Sequence, residues 1–452
     1  MTEPKRQRPA ARQGVPFTPP PVERRQLPNG LQLWLVERRD LPLVEASLVL
    51  RCGAGRDPRE KSGAASLTAD VLDTGSSTKD ALAISTALEQ LGTTLRARAG
   101  YDGSSIALTS LVGHAARSFE LLAEVVTDPV FPEREVERLR NQHLAAILQQ
   151  KDRPATVASL LLQRAVYGAD HPYGTDIGGT ERSVMSLRRS DLVEFWTTFY
   201  RPAGAVLMVA GPLTADELES IARPLSERWT GSEPSGEIAE PKRAAGTGVL
   251  LLDRPGSAQS EIRIGGVGLR RNSPDFFPAI MLNRILGGQF SSRLNANLRE
   301  KHGYTYGAWS AYSFGRVPGP FVAGAAVQSA VTGAALGEMV REITEIRKNG
   351  VTPEELEFAR GGILGAFALA FESPAQLLSI LQNIVLYGLP QDYYATYTEN
   401  IRRVTPEQVR RVADETLSTE FMSTVVVGDL ASVRPQLEGR NASVVTLEES
   451  GL

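Results

Sequence analysis

Chemistry in a chain of 452 residues has to be built from the donors it carries, and here they are sparse. There are four histidines, His114, His143, His171 and His302, and no two of them stand four apart. A helix cannot then offer paired imidazoles to a zinc ion, because that requires both side chains on one face. The single cysteine, Cys52, excludes an intrachain disulfide and a cysteine-built metal site. No nucleophile-elbow serine and no phosphate-binding loop of the P-loop kind occurs. Gly265-Gly266-Val267-Gly268 lies in a strand pattern without a dinucleotide fingerprint and reads as structural. Two glycine-framed stretches remain. One runs from Lys61 to Ser76, and the other from Gly287 to Tyr306.

Composition narrows the classes. The chain is 42% hydrophobic and 22% charged, with net charge −3 and pI about 6.0. That is a globular make-up, and it argues against a general nucleic-acid binder, which shows a basic patch or domain. No apolar run approaches the roughly 18 residues a bilayer span needs. Residues 1–25 are basic and proline-rich, with no apolar stretch after the charges, so they read as a disordered tail and not a secretory leader. The expected location is cytoplasmic.

The elements that must position any site repeat. An Asn29-Gly30 turn followed by Leu31, Leu33 and Leu35 alternating with polar or aromatic residues predicts a hairpin. Strands are expected at 44–50, as a pair within 94–111, and at 205–210. Helical periodicity covers 115–126, 133–150 and 156–167. Residues 231–247 carry the Gly, Ser, Pro and charge of a linker, after which the programme restarts. Pro154-Ala155 and Tyr167-Gly168 recur as Pro374-Ala375 and Tyr387-Gly388, and Gly211 as Gly428. The reading is an α+β chain of two homologous domains, 26–230 and 248–440. Each is a mostly antiparallel sheet with helices on one face.

Lys61 to Ser76 reads Lys-Ser-Gly-Ala-Ala-Ser-Leu-Thr-Ala-Asp-Val-Leu-Asp-Thr-Gly-Ser. It is similar to the zinc helix of the M16 (pitrilysin/insulinase) metallopeptidases, whose frame is Gly-Leu-Ala-His-x-x-Glu-His-Met-x-x-x-Gly-Thr. Gly63 and Gly75 keep the frame. Ser66 and Asp70 stand at the two histidine positions, and Ala69 at the catalytic glutamate. The resemblance continues through Phe131-Pro132-Glu133, where Ala146 falls at the third zinc ligand and Leu139 at a further acid of the family. A hydroxyl and one carboxylate make a poor zinc site, and alanine cannot take a proton from metal-bound water. Ser66 and Asp70, one turn apart, are expected to hydrogen-bond each other.

Gly287-Gly288-Gln289-Phe290-Ser291-Ser292-Arg293-Leu294 and then Leu298-Arg299-Glu300-Lys301-His302-Gly303-Tyr304-Thr305-Tyr306 resemble the family's substrate-binding motif. The resemblance implies that Arg299 and Tyr306 contact the substrate backbone. Gly287 and Gly288 read as a flexible loop, and His302 as a surface residue and not a ligand. The likeness spans about Leu27 to Leu430. It further implies a two-subunit enzyme, in which this chain binds peptide and carries no cofactor. An M16 partner bearing His-x-x-Glu-His would supply zinc and base. The alternatives are a structural M16-like subunit and an autonomous hydrolase with unrecognised residues.

Overall fold

A computed structural model describes residues 17–243 and 245–450. Twelve strands form two six-stranded sheets. They are β1 (Glu23–Gln26), β2 (Gln32–Glu37), β3 (Leu43–Leu50), β4 (Thr94–Ala99), β5 (Ser104–Leu111) and β6 (Val206–Gly211), then β7 (Val249–Asp253), β8 (Gln259–Val267), β9 (Ala308–Tyr312), β10 (Pro320–Gln328), β11 (Ser423–Gly428) and β12 (Ala442–Val445). The first sheet runs β1-β2-β6-β3-β5-β4 and the second β12-β7-β11-β8-β10-β9. Antiparallel pairs dominate. Parallel pairing occurs where β6 joins β2, and where β7 joins β11 and β12. From β2 to β4 the first order repeats as β7 to β9, the duplication seen in the sequence.

The expected hairpin is β1–β2, closed through Leu27 N–H to Leu31 C=O at 2.8 Å, with Gly30 at φ +90°. It also corrects the N-terminal boundary. Residues 23–26, mostly assigned to a tail, pair with β2, and Phe17 packs against Phe367 and Phe371 at centroid distances of 5.8 and 5.2 Å. Residues 1–16 of that expected tail lie outside the described residues.

Strand alternation sends side chains to two different cores. On β2, Leu33 and Leu35 enter the N-terminal half's own core, under the helices Ala115–Thr127 and Ala215–Arg228. Trp34 and Val36 point the other way, as do Val206, Met208 and Ala210 of β6. What covers them comes from the opposite half: Leu377, Leu378, Leu381 and Ile384 of the helix Pro374–Tyr387. The arrangement is reciprocal. Val157, Ala158, Leu161 and Leu162 of the helix Pro154–Tyr167 cover Leu252, Val425 and Val427 of the second sheet. Each half therefore packs its own helices on one face and accepts one helix from its counterpart on the other. Polar links follow the exchange: Gln382 donates to Ser47 at 2.8 Å, and Arg316 N–H donates to the buried Asp102 at 3.0 Å. Among the described residues no single helix is long and apolar enough to cross a membrane.

Candidate functional site

The Ser66 helix (Ala64–Val71) starts at Gly63, whose φ of +96° is open to glycine and strained for other residues. A side chain there would also lie 2.7 Å from the carbonyl of Gly178. The frame glycine is thus demanded by backbone geometry. No side chain at Gly63 can cap the helix, and Asp57 does so from six residues ahead. Its carboxylate accepts from Gly63 N–H at 2.8 Å and Ala65 N–H at 2.9 Å. Burial pushes this carboxyl up to about 7, against the pull of those N–H groups.

Ala69 is buried, Ser66 half-buried and Asp70 exposed. Ala146 lies exposed on the neighbouring helix Glu133–Lys151. The structure supplies a partner that sequence reasoning did not single out. His143, one turn before Ala146, meets Asp70 through Nε2 at 2.6 Å. The expected Ser66–Asp70 hydrogen bond is not the one made: Asp70 turns across to the second helix, because an imidazole there reaches its carboxylate. Spacing along the Glu133–Lys151 helix was a usable signal, since positions 143 and 146 share a face. Leu139, a turn further back, packs on the core. Asp73 is pushed upward, first by burial and then by the charge of Asp70. Among the described residues no three His, Cys, Asp or Glu side chains are grouped to hold a metal ion. One imidazole and one carboxylate do not fit the three-ligand demand of catalytic zinc.

The second stretch is held by its polar residues. Asn295 donates to the carbonyl of Ala308 at 2.7 Å and accepts from its N–H at 3.0 Å, locking the Arg299 helix to β9. Arg293 forks onto Glu355 with two bonds of 2.7 Å. Over residues 296–301 the helix is wound as a π-helix, a form that concentrates at functional sites. Arg299 is half-exposed. Its guanidinium lies 4.4 Å above the Phe290 ring, with Nε 3.5 Å from Glu300. Tyr306 is 91% exposed, just before the edge strand β9. Phe290, 67% exposed, thus joins the pair as a third candidate that the sequence reading did not name.

Gly287 and Gly288 have a different reason from the flexibility expected of them. A Cβ on Gly287 would stand 2.3 Å from Ser310 N, and both glycine N–H groups donate to Asn283 C=O. Gly287 allows a close backbone approach to β9, Gly288 packs against Asn283 and Arg284 of the preceding helix, and both are tightly bonded. His302 is half-buried and stacks on Tyr304 at 4.9 Å, less exposed than expected.

The chain is thus a duplicated α+β fold with a glycine-framed helix in one half and Arg299 and Tyr306 beside a sheet edge in the other. Two family models match it: Insulinase (Peptidase family M16) over residues 35–180, and Peptidase M16 inactive domain over residues 186–362. The chain belongs to the M16 family. It is 27% identical to an uncharacterized zinc protease of Mycobacterium leprae, across 91% of this chain and 92% of the relative. A non-peptidase homolog of Helicobacter pylori is 24% identical across 82% and 86%. The crystal structure of a peptidase M16 inactive domain from Pseudomonas fluorescens superposes with TM-score 0.84 at 29% identity, covering 90% of this chain and 98% of that one.

Proposed function

We propose that this chain is the non-catalytic, peptide-binding subunit of a heterodimeric M16 zinc metallopeptidase. The observation that carries it is an asymmetry between two sites. At the zinc-helix positions stand Ser66, Ala69, Asp70 and Ala146, and Asp70 is engaged by His143. At the substrate motif, Tyr306 and Phe290 stand exposed and Arg299 half-exposed on a rigidly anchored frame. The donor set does not suit catalytic zinc, so the reading assigns this chain no cofactor of its own. A partner chain with His-x-x-Glu-His would bring metal and general base. The names of relatives support both halves of the reading, one being a zinc protease and another a non-peptidase homolog.

On this reading Arg299 and Tyr306 hold an extended peptide beside β9, the edge strand of the second sheet. Catalysis by the pair then rests on positioning across an interface. Co-expression with an M16 chain carrying the motif, followed by size-exclusion chromatography, tests it. The expected product is a stable heterodimer burying more than the roughly 1,600 Å² of a standard interface, with peptidase activity absent from this chain alone. Elemental analysis of this chain alone is expected to give no stoichiometric zinc. Separate elution at micromolar concentration, or one zinc per isolated chain surviving mild chelation, overturns the proposal.

A further inference from the structure

Where β3 ends and β6 begins, the linker runs along the junction of the two halves and borders an open cavity of about 420 Å³. Its wall is unusually cationic for a chain of net negative charge. Five arginines line it, at positions 51, 56, 201, 270 and 316, against three glutamates at 233, 237 and 240. Two of the arginines are neutralised. Arg51 pairs with Glu233 at 3.2 Å, and Arg270 with Glu240 at 2.6 Å. Arg56, Arg201 and Arg316 form no ion pair among the described residues; of the lining residues only Glu237 is left to offset them, with the buried Asp102 behind Arg316. The cavity wall therefore carries an excess of two positive charges.

Arg316 shows the cost of that excess. Its Nη2 donates to Leu386 C=O at a long 3.4 Å, and its Nε is buried with no hydrogen-bond partner in the protein. Burial lowers its proton affinity, the neighbouring charges of Arg51 and Arg56 push the same way, and the buried Asp102 pulls against them. Asp102 is a nearby counter-charge, but it takes the backbone N–H of Arg316 and not its guanidinium, so the partly desolvated cation has no side-chain ion pair, which is unfavourable unless something pairs with it. Arg56 is half-exposed beside the linker. The linker passes it at Gly236, at φ +105°, where a Cβ would sit 2.8 Å from Arg56 Nη1. Bare backbone is what fits there. The rest of the wall includes Phe199, Ile238 and Val317, so the space exceeds a lone anion and lies in the range of small-ligand pockets, roughly 300–1,000 Å³.

We propose that this cavity binds a small organic phosphate monoester. The phosphate head lies between Arg56 and Arg316, with Arg201 at the rim, and the organic body lies against Phe199, Ile238 and Val317. A phosphate monoester carries about −1.5 to −2 charges near neutral pH, which matches the excess. A single carboxylate would leave one charge unpaired. The planar guanidinium fork also suits phosphate oxygens. This site is built within one chain and does not depend on the peptidase reading.

Isothermal titration calorimetry on the full chain tests it, with glycerol 3-phosphate as probe and inorganic phosphate, succinate and glycerol as comparators at constant ionic strength. The expected result is saturable one-site binding of glycerol 3-phosphate, weaker binding of inorganic phosphate and none of glycerol. The melting temperature should rise with the ester, as for any ligand of the folded state. Arg56→Gln and Arg316→Gln should each weaken binding tenfold or more. Arg39→Gln, at the opposite end of the first sheet and paired with Glu37, should leave it unchanged. Arg56 is half-exposed, so its variant stays informative if Arg316→Gln folds poorly. No saturable heat, or undiminished binding in Arg56→Gln, overturns the proposal. Succinate binding as tightly as the ester would overturn the phosphate assignment.

Discussion

At the scale of single residues, Asp57 carries a signature in pH. Its folded-state carboxyl sits near 7, above the 3.8 of a free aspartate, so the folded chain holds a proton that the unfolded chain has released. Stability from this group is present at and below about pH 4, and is lost as pH rises through 7. Melts of wild type and Asp57→Asn across pH 4.5–7.5 should show a decline in the wild type that the variant lacks. Parallel profiles would refute the assignment. For Tyr306→Phe and Arg299→Lys the expectation is opposite in kind. Both side chains are solvent-facing, so melting and partner binding should hardly change. Peptide cleavage by the complex should fall on the order of 10²-fold in kcat, about 3 kcal/mol, if these groups act on the reacting carbonyl. A rise in KM alone would mark a ground-state contact. Wild-type kinetics in both variants would favour a structural subunit. His143→Ala removes the bond that ties the Ser66 helix to its neighbour. One partner is half-exposed, so a loss of about 1 kcal/mol or less is expected, read as a small shift in denaturant midpoint.

At the scale of elements, the exchanged helices dominate. Leu381 and Leu161 are each buried against the sheet of the other half. Leu381→Ala and Leu161→Ala should each cost about 2–5 kcal/mol, as for other large-to-small core changes. The informative control is Leu148→Ala. It sits on a neighbouring helix but is 50% exposed and should be nearly silent. Urea melts followed by circular dichroism measure all three. The repeat was visible in the paired Pro-Ala and Tyr-Gly signals of residues 154–168 and 374–388. That these helices cross to the opposite sheet was not, because periodicity shows that a helix has an apolar face and not which surface receives it.

For the whole molecule, the exchange makes the two halves one cooperative unit. Neither sheet has both faces covered without the other half, and Asp102 adds bonds from Tyr173 on its own side and Arg316 on the far side. Calorimetry should give a single transition with equal calorimetric and van't Hoff enthalpies. Two resolved transitions would show that the halves unfold independently. The same coupling fixes the Arg-lined cavity, since its wall takes residues from both halves and the linker.

The sequence by itself determined the duplication, most strands and the long helices of the first half, and the two glycine-framed stretches around Ser66 and around Arg299 and Tyr306. These are local properties: alternation, helical spacing, turn chemistry and motif order are written along the chain. Its N-terminal boundary was misplaced because a four-residue edge strand, Glu-Arg-Arg-Gln, carries no apolar alternation. Only the tertiary structure decided what depends on distance between remote residues. Asp70 meets His143 from 73 positions away, Asp57 rises toward 7 by burial, and Gly287 is needed because β9 passes against it. Three arginines far apart in sequence end up around one cavity, none of them in an ion pair among the described residues. Such contacts are set by how apolar faces pack, and that energy belongs to pairs of surfaces the chain brings together only on folding.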